Sequence, residues 1–182
     1  MIPWIHFVLK CLYLFLPVYF SNMAPVILKK IPLPHHPVDF GKSFRGKRIF
    51  GANKSWKGIF LGVILAIIIS FIQVQYLNHV PFFDTLILIE YSNWLLVGFM
   101  MGLGGLLGDL IESFFKRQLG IGPGKPLYII DQIDYVLVGL LFTSFVLPLT
   151  WLMAGTIIIV SIVLTIIVNQ IAYYTKIRKV RW

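Results

Sequence analysis

Runs of apolar residues as long as a bilayer-crossing helix recur along this chain, and they limit its possible folds more than any other feature. A helix rises 1.5 Å per residue, so roughly 20 residues cover the ~30 Å hydrocarbon layer. Stretches of that kind lie at roughly 3–24, 58–78, 91–115, 132–149 and 154–174. Inside hydrocarbon every backbone N–H and C=O must be paired within the protein, so segments of this length and composition are read as helices. Composition agrees: the 182 residues are 58% hydrophobic and 13% charged, against about 45–50% and about 25% in soluble domains. The expectation is an all-α integral membrane protein, a single membrane domain over 1–182 with about five transmembrane helices. Pro148, in the break between the last two runs, favours two antiparallel spans over one long kinked helix. The N-terminal run is too long for a signal peptide, has Lys10 as its only early cation and ends at no small-residue cleavage site, so it is read as a span. The single cysteine, Cys11, cannot close an internal disulfide and excludes a Cys-based metal centre.

The cations orient these spans. Lys29, Lys30, Lys42, Arg45, Lys47, Arg48, Lys54 and Lys57 lie in the loop 25–57; Lys116, Arg117 and Lys125 lie in the loop 116–131; Lys176, Arg178, Lys179 and Arg181 lie in the tail 175–182. The connection 79–90 has Asp84 and Glu90 and no Lys or Arg. By the positive-inside rule both basic loops and the C-terminus are cytoplasmic and the N-terminus is outside, which requires an odd number of spans. The net charge of +9 has a topogenic explanation and suits anionic lipid, at about 1 kcal/mol per cation near the surface. No nucleic-acid partner is expected, and no particular oligomeric state follows.

The loop 25–57 opens with Pro32, Pro34 and Pro37, which favour extended backbone, and continues GKSFRGKRIFGANKSWKG. Glycine lets backbone N–H groups approach an anion, and Lys and Arg neutralise it, so the segment suits a polyphosphate as well as it suits a topogenic loop. It is not a P-loop, because Ala-Asn-Lys-Ser follows Gly51 where Gly-Lys-Ser/Thr is required.

The third and fourth spans carry the sharper signal. On a continuous helix Asp109, Glu112, Ser113 and Lys116 fall at i, i+3, i+4 and i+7, one stripe of one face; Asp131, Asp134 and Tyr135 repeat the first three spacings. The two stripes can face each other across a notch open to the cytoplasm. A carboxylate near the centre of a membrane helix costs roughly 2.5–3.5 kcal/mol to insert, so such groups normally face protein or water and mark function. Oxygen ligands without cysteine favour Mg²⁺, usually held by one or two carboxylates plus substrate phosphate. The bland alternative is a set of interfacial ion pairs, Glu112 with Lys116 for example. Gly98, Gly102, Gly104, Gly105 and Gly108 are read as close helix packing.

The run Asp109–Ser113, then Lys116-Arg117, a Gly-Pro-rich connection and Asp131-Gln-Ile-Asp134 resembles the signature of membrane CTP:phospholipid cytidylyltransferases. FGANKSWKG resembles a second element of that family, Lys-Ser/Thr-Trp-x-Gly leading into a span; the VDFG…RGKRIFG loop and DQIDYVLVG resemble the CDP-archaeol synthase branch most closely. The resemblance covers roughly residues 34–140. It implies transfer of CMP from CTP to an unsaturated archaetidic acid, an isoprenoid ether-lipid phosphate, with release of pyrophosphate at the cytoplasmic face. It also implies that Asp109, Asp131 and Asp134 hold Mg²⁺, with Lys116 beside them in the catalytic centre. Asn53, Lys54, Ser55, Glu112, Ser113, Arg117 and Lys125 are then expected to bind CTP and phosphate. Two elements depart from the bacterial phosphatidate enzymes: Tyr128-Ile129-Ile130 stands where they have His-Gly-Gly, and Lys57 where they have an acidic residue. The alternatives are the same chemistry on an ester lipid and, from another class, a cation- or proton-coupled transporter, against which no internal repeat is visible.

Overall fold

The computed structural model describes residues 3–28, 31–122 and 130–174. Its helices are α1 (Pro3–Leu14), α2 (Leu16–Ile27), α3 (Trp56–Gln75), a one-turn α4 (Pro81–Asp84), α5 (Trp94–Gln118), α6 (Ile130–Ser144) and α7 (Trp151–Tyr174). One exception to the all-α expectation is a small antiparallel hairpin in the first basic loop, β1 (Ser43–Phe44) with β2 (Lys47–Arg48).

Trp56–His79, Trp94–Gln118 and Trp151–Ile171 are long and apolar enough to cross a membrane. The first expected span is broken instead of continuous: α1 and α2 meet at a 50° bend. Pro17 explains it. A proline has no N–H to give to the carbonyl four residues back, here Tyr13, and an unpaired carbonyl inside a membrane is costly. The Gln73 side-chain amide of α3 donates to the Tyr13 carbonyl at 2.6 Å. The fourth expected span also differs, because α6 ends at Ser144 rather than running to Leu149. The Thr143 and Ser144 hydroxyls turn back onto the Gly139 and Leu141 carbonyls, and Pro148 disfavours helical backbone just before it. At 15 residues, α6 is about 22 Å long, shorter than the hydrocarbon layer.

α5 is the central post, and its glycines are why. A Cβ on Gly98 would lie 2.7 Å from Ile67 Cα, and one on Gly102 2.7 Å from the Ala66 Cβ, both on α3. Gly104 faces Phe142 and Gly139 of α6, and Gly105 faces Val18 and Ser21 of α2. Each helix approaches a side of α5 where side chains would hold it off, which is the small-residue packing expected from the sequence. The buried core lies between them, from Phe15 at the bend, Val18 of α2, Met101 of α5, Val136 of α6 and Ile157 of α7. α7 is tied near its middle by hydroxyl pairs, Tyr19 with Ser161 at 2.7 Å and Tyr135 with Thr165 at 3.1 Å.

The bundle has two chemically different ends. The basic loop 31–55, the end of α5 and the start of α6 share one of them: Lys47 Nζ donates to the Gln118 carbonyl at 2.6 Å, and Lys116 pairs with Asp131 at 2.7 Å. At the other, the segment 76–91 packs beside α1, with a 2.8 Å hydrogen bond between His6 and the Thr85 carbonyl and another from Tyr13 to Asn78.

Candidate active site

Three carboxylates from two helices converge at the basic end. Asp109 and Glu112 on α5 and Asp134 on α6 each bring an oxygen within 4.8 Å of the others. The i, i+3 spacing puts the first two on one face of α5, and Gly108 brings the third. A Cβ at Gly108 would sit 2.4 Å from the Asp134 carbonyl oxygen and 2.7 Å from Tyr135 Cα. Only glycine lets the α6 backbone come this close one residue before Asp109, so the acidic cluster depends on a missing methyl group.

Cations flank the cluster. Lys54 Nζ lies 2.6 Å from Asp109 Oδ1. Lys116 Nζ lies 2.5 Å from Glu112 Oε1 and 2.7 Å from Asp131 Oδ2, so it ties α5 to the first turn of α6. Each ammonium has three donors, and these contacts use one on Lys54 and two on Lys116. Asp134 Oδ1 is buried and has no hydrogen-bond partner among the described residues. A buried carboxylate oxygen without a donor carries its full desolvation cost unless something else meets it. Hard oxygen donors gathered around such an orphan fit a divalent cation of the Mg²⁺ class, and no sulfur or imidazole ligand belongs to the cluster.

The site residues expected from the sequence fall into place unevenly. Asp109 and Asp134 are in the cluster; Glu112, expected to contact phosphate, is its third member and also makes the ion pair with Lys116. Asp131 sits one step outside, joined through Lys116. Ser113 is buried beside Glu112. Ser55 caps α3, its Oγ accepting from Gly58 N at 3.2 Å, which leaves its O–H able to donate to an anion. Asn53 is exposed on the turn just before it. Arg117 closes the end of α5 by donating to the Ile121 carbonyl at 2.5 Å, and its buried Nε has no partner among the described residues. Lys125, with Tyr128 and Ile129, lies outside the described residues.

The basic loop reaches this site because it is folded on itself. Its start and finish pair, with Val38 N donating to the Lys54 carbonyl at 2.9 Å and Trp56 N to the His36 carbonyl at 3.0 Å. Asp39 is the hub, and sequence reasoning missed it. Its carboxylate, 4% exposed as a residue, accepts from Arg48 at 2.5 Å and from the backbone N–H groups of Gly41, Phe50 and Gly51 at 2.9–3.1 Å. Burial pushes its pKa up; the Arg48 guanidinium and the three N–H donors outweigh that and hold the carboxyl well below the usual range. The signal was available, since Asp39 is the only acidic residue among the eight cations of the loop 25–57.

Comparison with known proteins identifies the family and the fold. Residues 4–182 match the family model described as CarS-like, CDP-archaeol synthase. The chain is 35% identical to the CDP-archaeol synthase of Pyrococcus furiosus over 97% of its own length and 99% of that protein's, and 36% identical to that of Staphylothermus marinus over 94% and 93%. A solved structure of an intramembrane enzyme for archaeal membrane lipid biosynthesis superposes with a TM-score of 0.72 at 24% identity, covering 89% of this chain and 94% of that one, and shows the same fold. A polytopic helical bundle that gathers carboxylates and lysines at one end, matched to this family along nearly its whole length, belongs to the CDP-archaeol synthase family.

Proposed function

We propose that this chain transfers CMP from CTP to an archaetidic acid bearing unsaturated isoprenoid ether chains, giving CDP-archaeol and pyrophosphate, with the site on the cytoplasmic side of the membrane. The observation that carries the reading is the convergence of Asp109, Glu112 and Asp134 within 4.8 Å, between Lys54 and Lys116. Positive charge alone would bind any polyanion. Carboxylates set between the cations are what a metal-nucleotide complex requires.

Asp109, Glu112 and Asp134 would hold the divalent ion, with Asp131 adjoining through Lys116. When bound, such an ion neutralises charge on the phosphates during in-line transfer. The remaining donors of Lys54 and Lys116, the Ser55 hydroxyl and Arg117 grip phosphate oxygens, with Asn53 on the turn before α3 beside them; Lys125 is assigned the same role from the sequence alone. An oxygen of the lipid phosphate attacks the α-phosphorus of CTP, the bond from that phosphorus to the bridging oxygen breaks, and pyrophosphate leaves. The nucleophile is already ionised, so no general base is required; catalysis rests on positioning and electrostatics. In this reading the acidic first turn of α6 lies toward the membrane surface, where a lipid phosphate resides. The positive-inside distribution puts that surface in the cytoplasm.

The test is incorporation of labelled CTP by detergent-solubilised protein offered ether or ester lipid phosphate, with Mg²⁺ or with chelator. Labelled lipid from the ether substrate that disappears on chelation is expected. Equal turnover with chelator present, or none with any lipid phosphate, overturns the reading.

A further inference from the structure

The hairpin of the basic loop breaks a local rule. Its strands pair Ser43 with Arg48 and Phe44 with Lys47, so the connection is the two residues Arg45 and Gly46, with φ of 50° and 76°. Both central residues of such a turn need positive φ, which favours Asn or Asp followed by Gly. Gly46 obeys. Arg45 does not, and a bulky side chain held in left-handed backbone, where Asn would be at ease, points to a role for the side chain.

What surrounds Arg45 indicates the role. Its guanidinium lies 5.4 Å from the centroid of the Phe44 ring, and no carboxylate pairs with it among the described residues. Phe44 is 47% exposed and continues an aromatic chain onto α5, with ring centroids 6.1 Å apart to Phe114 and 5.7 Å on to Phe115. Phe115 belongs to a strip of exposed apolar side chains, Ile111, Phe115 and Leu119, at i, i+4 and i+8 on the outer side of α5. In a membrane helix that side faces lipid, and the hairpin stands beside it through the Phe44–Phe114 contact. There the exposed Lys42 and Arg45 replace aliphatic groups. An aromatic ring at the acyl boundary with cations just above it is the arrangement that binds anionic headgroups.

We propose that the tip of this hairpin, Phe44 and Arg45, is a membrane-surface contact that binds phosphate headgroups of the protein's own bilayer and delivers the lipid phosphate to the neighbouring site. Arg45 meets the phosphate and Phe44 seats the tip in the headgroup layer. The nucleotide is left to Lys54, Lys116 and Arg117.

Two measurements test this on the full-length protein. In the first, Phe44→Cys carries an environment-sensitive fluorophore, Cys11 being fully buried, in vesicles of phosphatidylcholine with or without phosphatidylglycerol. Quenching by lipid-borne nitroxide, increased by phosphatidylglycerol and weakened by Arg45→Asn, is expected. Quenching by aqueous iodide in place of lipid nitroxide overturns the proposal. The second rests on the cytidylyl-transfer reading and compares wild type with Arg45→Asn, which suits the turn and preserves the hairpin. A rise of about threefold or more in KM for lipid phosphate, with KM for CTP unchanged, is expected. A rise in KM for CTP, or no change in either, overturns the proposal. The quenching result decides for or against the contact even where turnover is absent.

Discussion

Both ends of the bundle bury polar side chains in an apolar setting, and they do so to opposite effect. Away from the basic loops, Gln73 donates to the Tyr13 carbonyl at 2.6 Å, Tyr91 donates to Gln73 Oε1 at 3.3 Å and Tyr13 donates to Asn78 at 2.8 Å. These groups are neutral and answer one another, repairing the break at Pro17. At the basic end the groups are charged, carboxylates crowd together, and Asp134 Oδ1 has no partner among the described residues. A satisfied network stabilises a fold; an unsatisfied acidic one waits for a cation. The difference separates structural polarity from chemical polarity more sharply than burial does, because Gln73 is 2% exposed and Glu112 7%.

The largest effect is expected from Asp134→Asn, which keeps the shape and removes the charge. Turnover should fall at least a hundredfold, with insertion unchanged and the metal-free unfolding temperature no lower than wild type, as checked by labelled-CTP incorporation beside an unfolding curve. Gly108→Ala comes next. Its methyl would push α6 away from α5, costing roughly 1–3 kcal/mol through overpacking and spreading the carboxylates, so both unfolding temperature and turnover should drop. Gln73→Leu tests the other end. It leaves the Tyr13 carbonyl unpaired and should cost roughly 1–3 kcal/mol in unfolding measurements, while kcat of the folded protein stays near wild type. A collapse of kcat there would erase the contrast between the two ends.

The smallest effect belongs to Asp39 and depends on pH. Its folded pKa lies below the unfolded value of about 3.9. The stabilisation is therefore complete above that value and is lost as pH falls through the folded pKa. Asp39→Asn should expose the loop to proteolysis at neutral pH, and the gap from wild type should begin to narrow below about pH 4 and close only in stronger acid, below the folded pKa. A gap that persists unchanged in acid would mean that the Asp39 charge does not organise the loop.

Much of this was legible in the sequence because it rests on period and composition. The i, i+3, i+4, i+7 stripe on α5 needed only helical geometry, and the glycines before it pack as small residues do. What stayed hidden depended on partners distant in the chain. The bend at residue 15 requires Pro17, yet its tolerance inside an apolar span depends on Gln73, 60 positions away from Tyr13. For Glu112, spacing gives the face of the helix and not which member of the facing helix it meets. Lys116 standing between Glu112 and Asp131 decides that. Asp39 is the local exception: its four donors lie within the same loop, and what the sequence does not display is the fold that turns them all onto one carboxylate.

Whether Asp109, Glu112 and Asp134 share one divalent cation can be read from the paramagnetic resonance of Mn²⁺ added to the solubilised protein with CTP. Wild type should bind Mn²⁺ at least about tenfold more tightly than Asp134→Asn or Glu112→Gln. Equal affinity in all three would contradict the account.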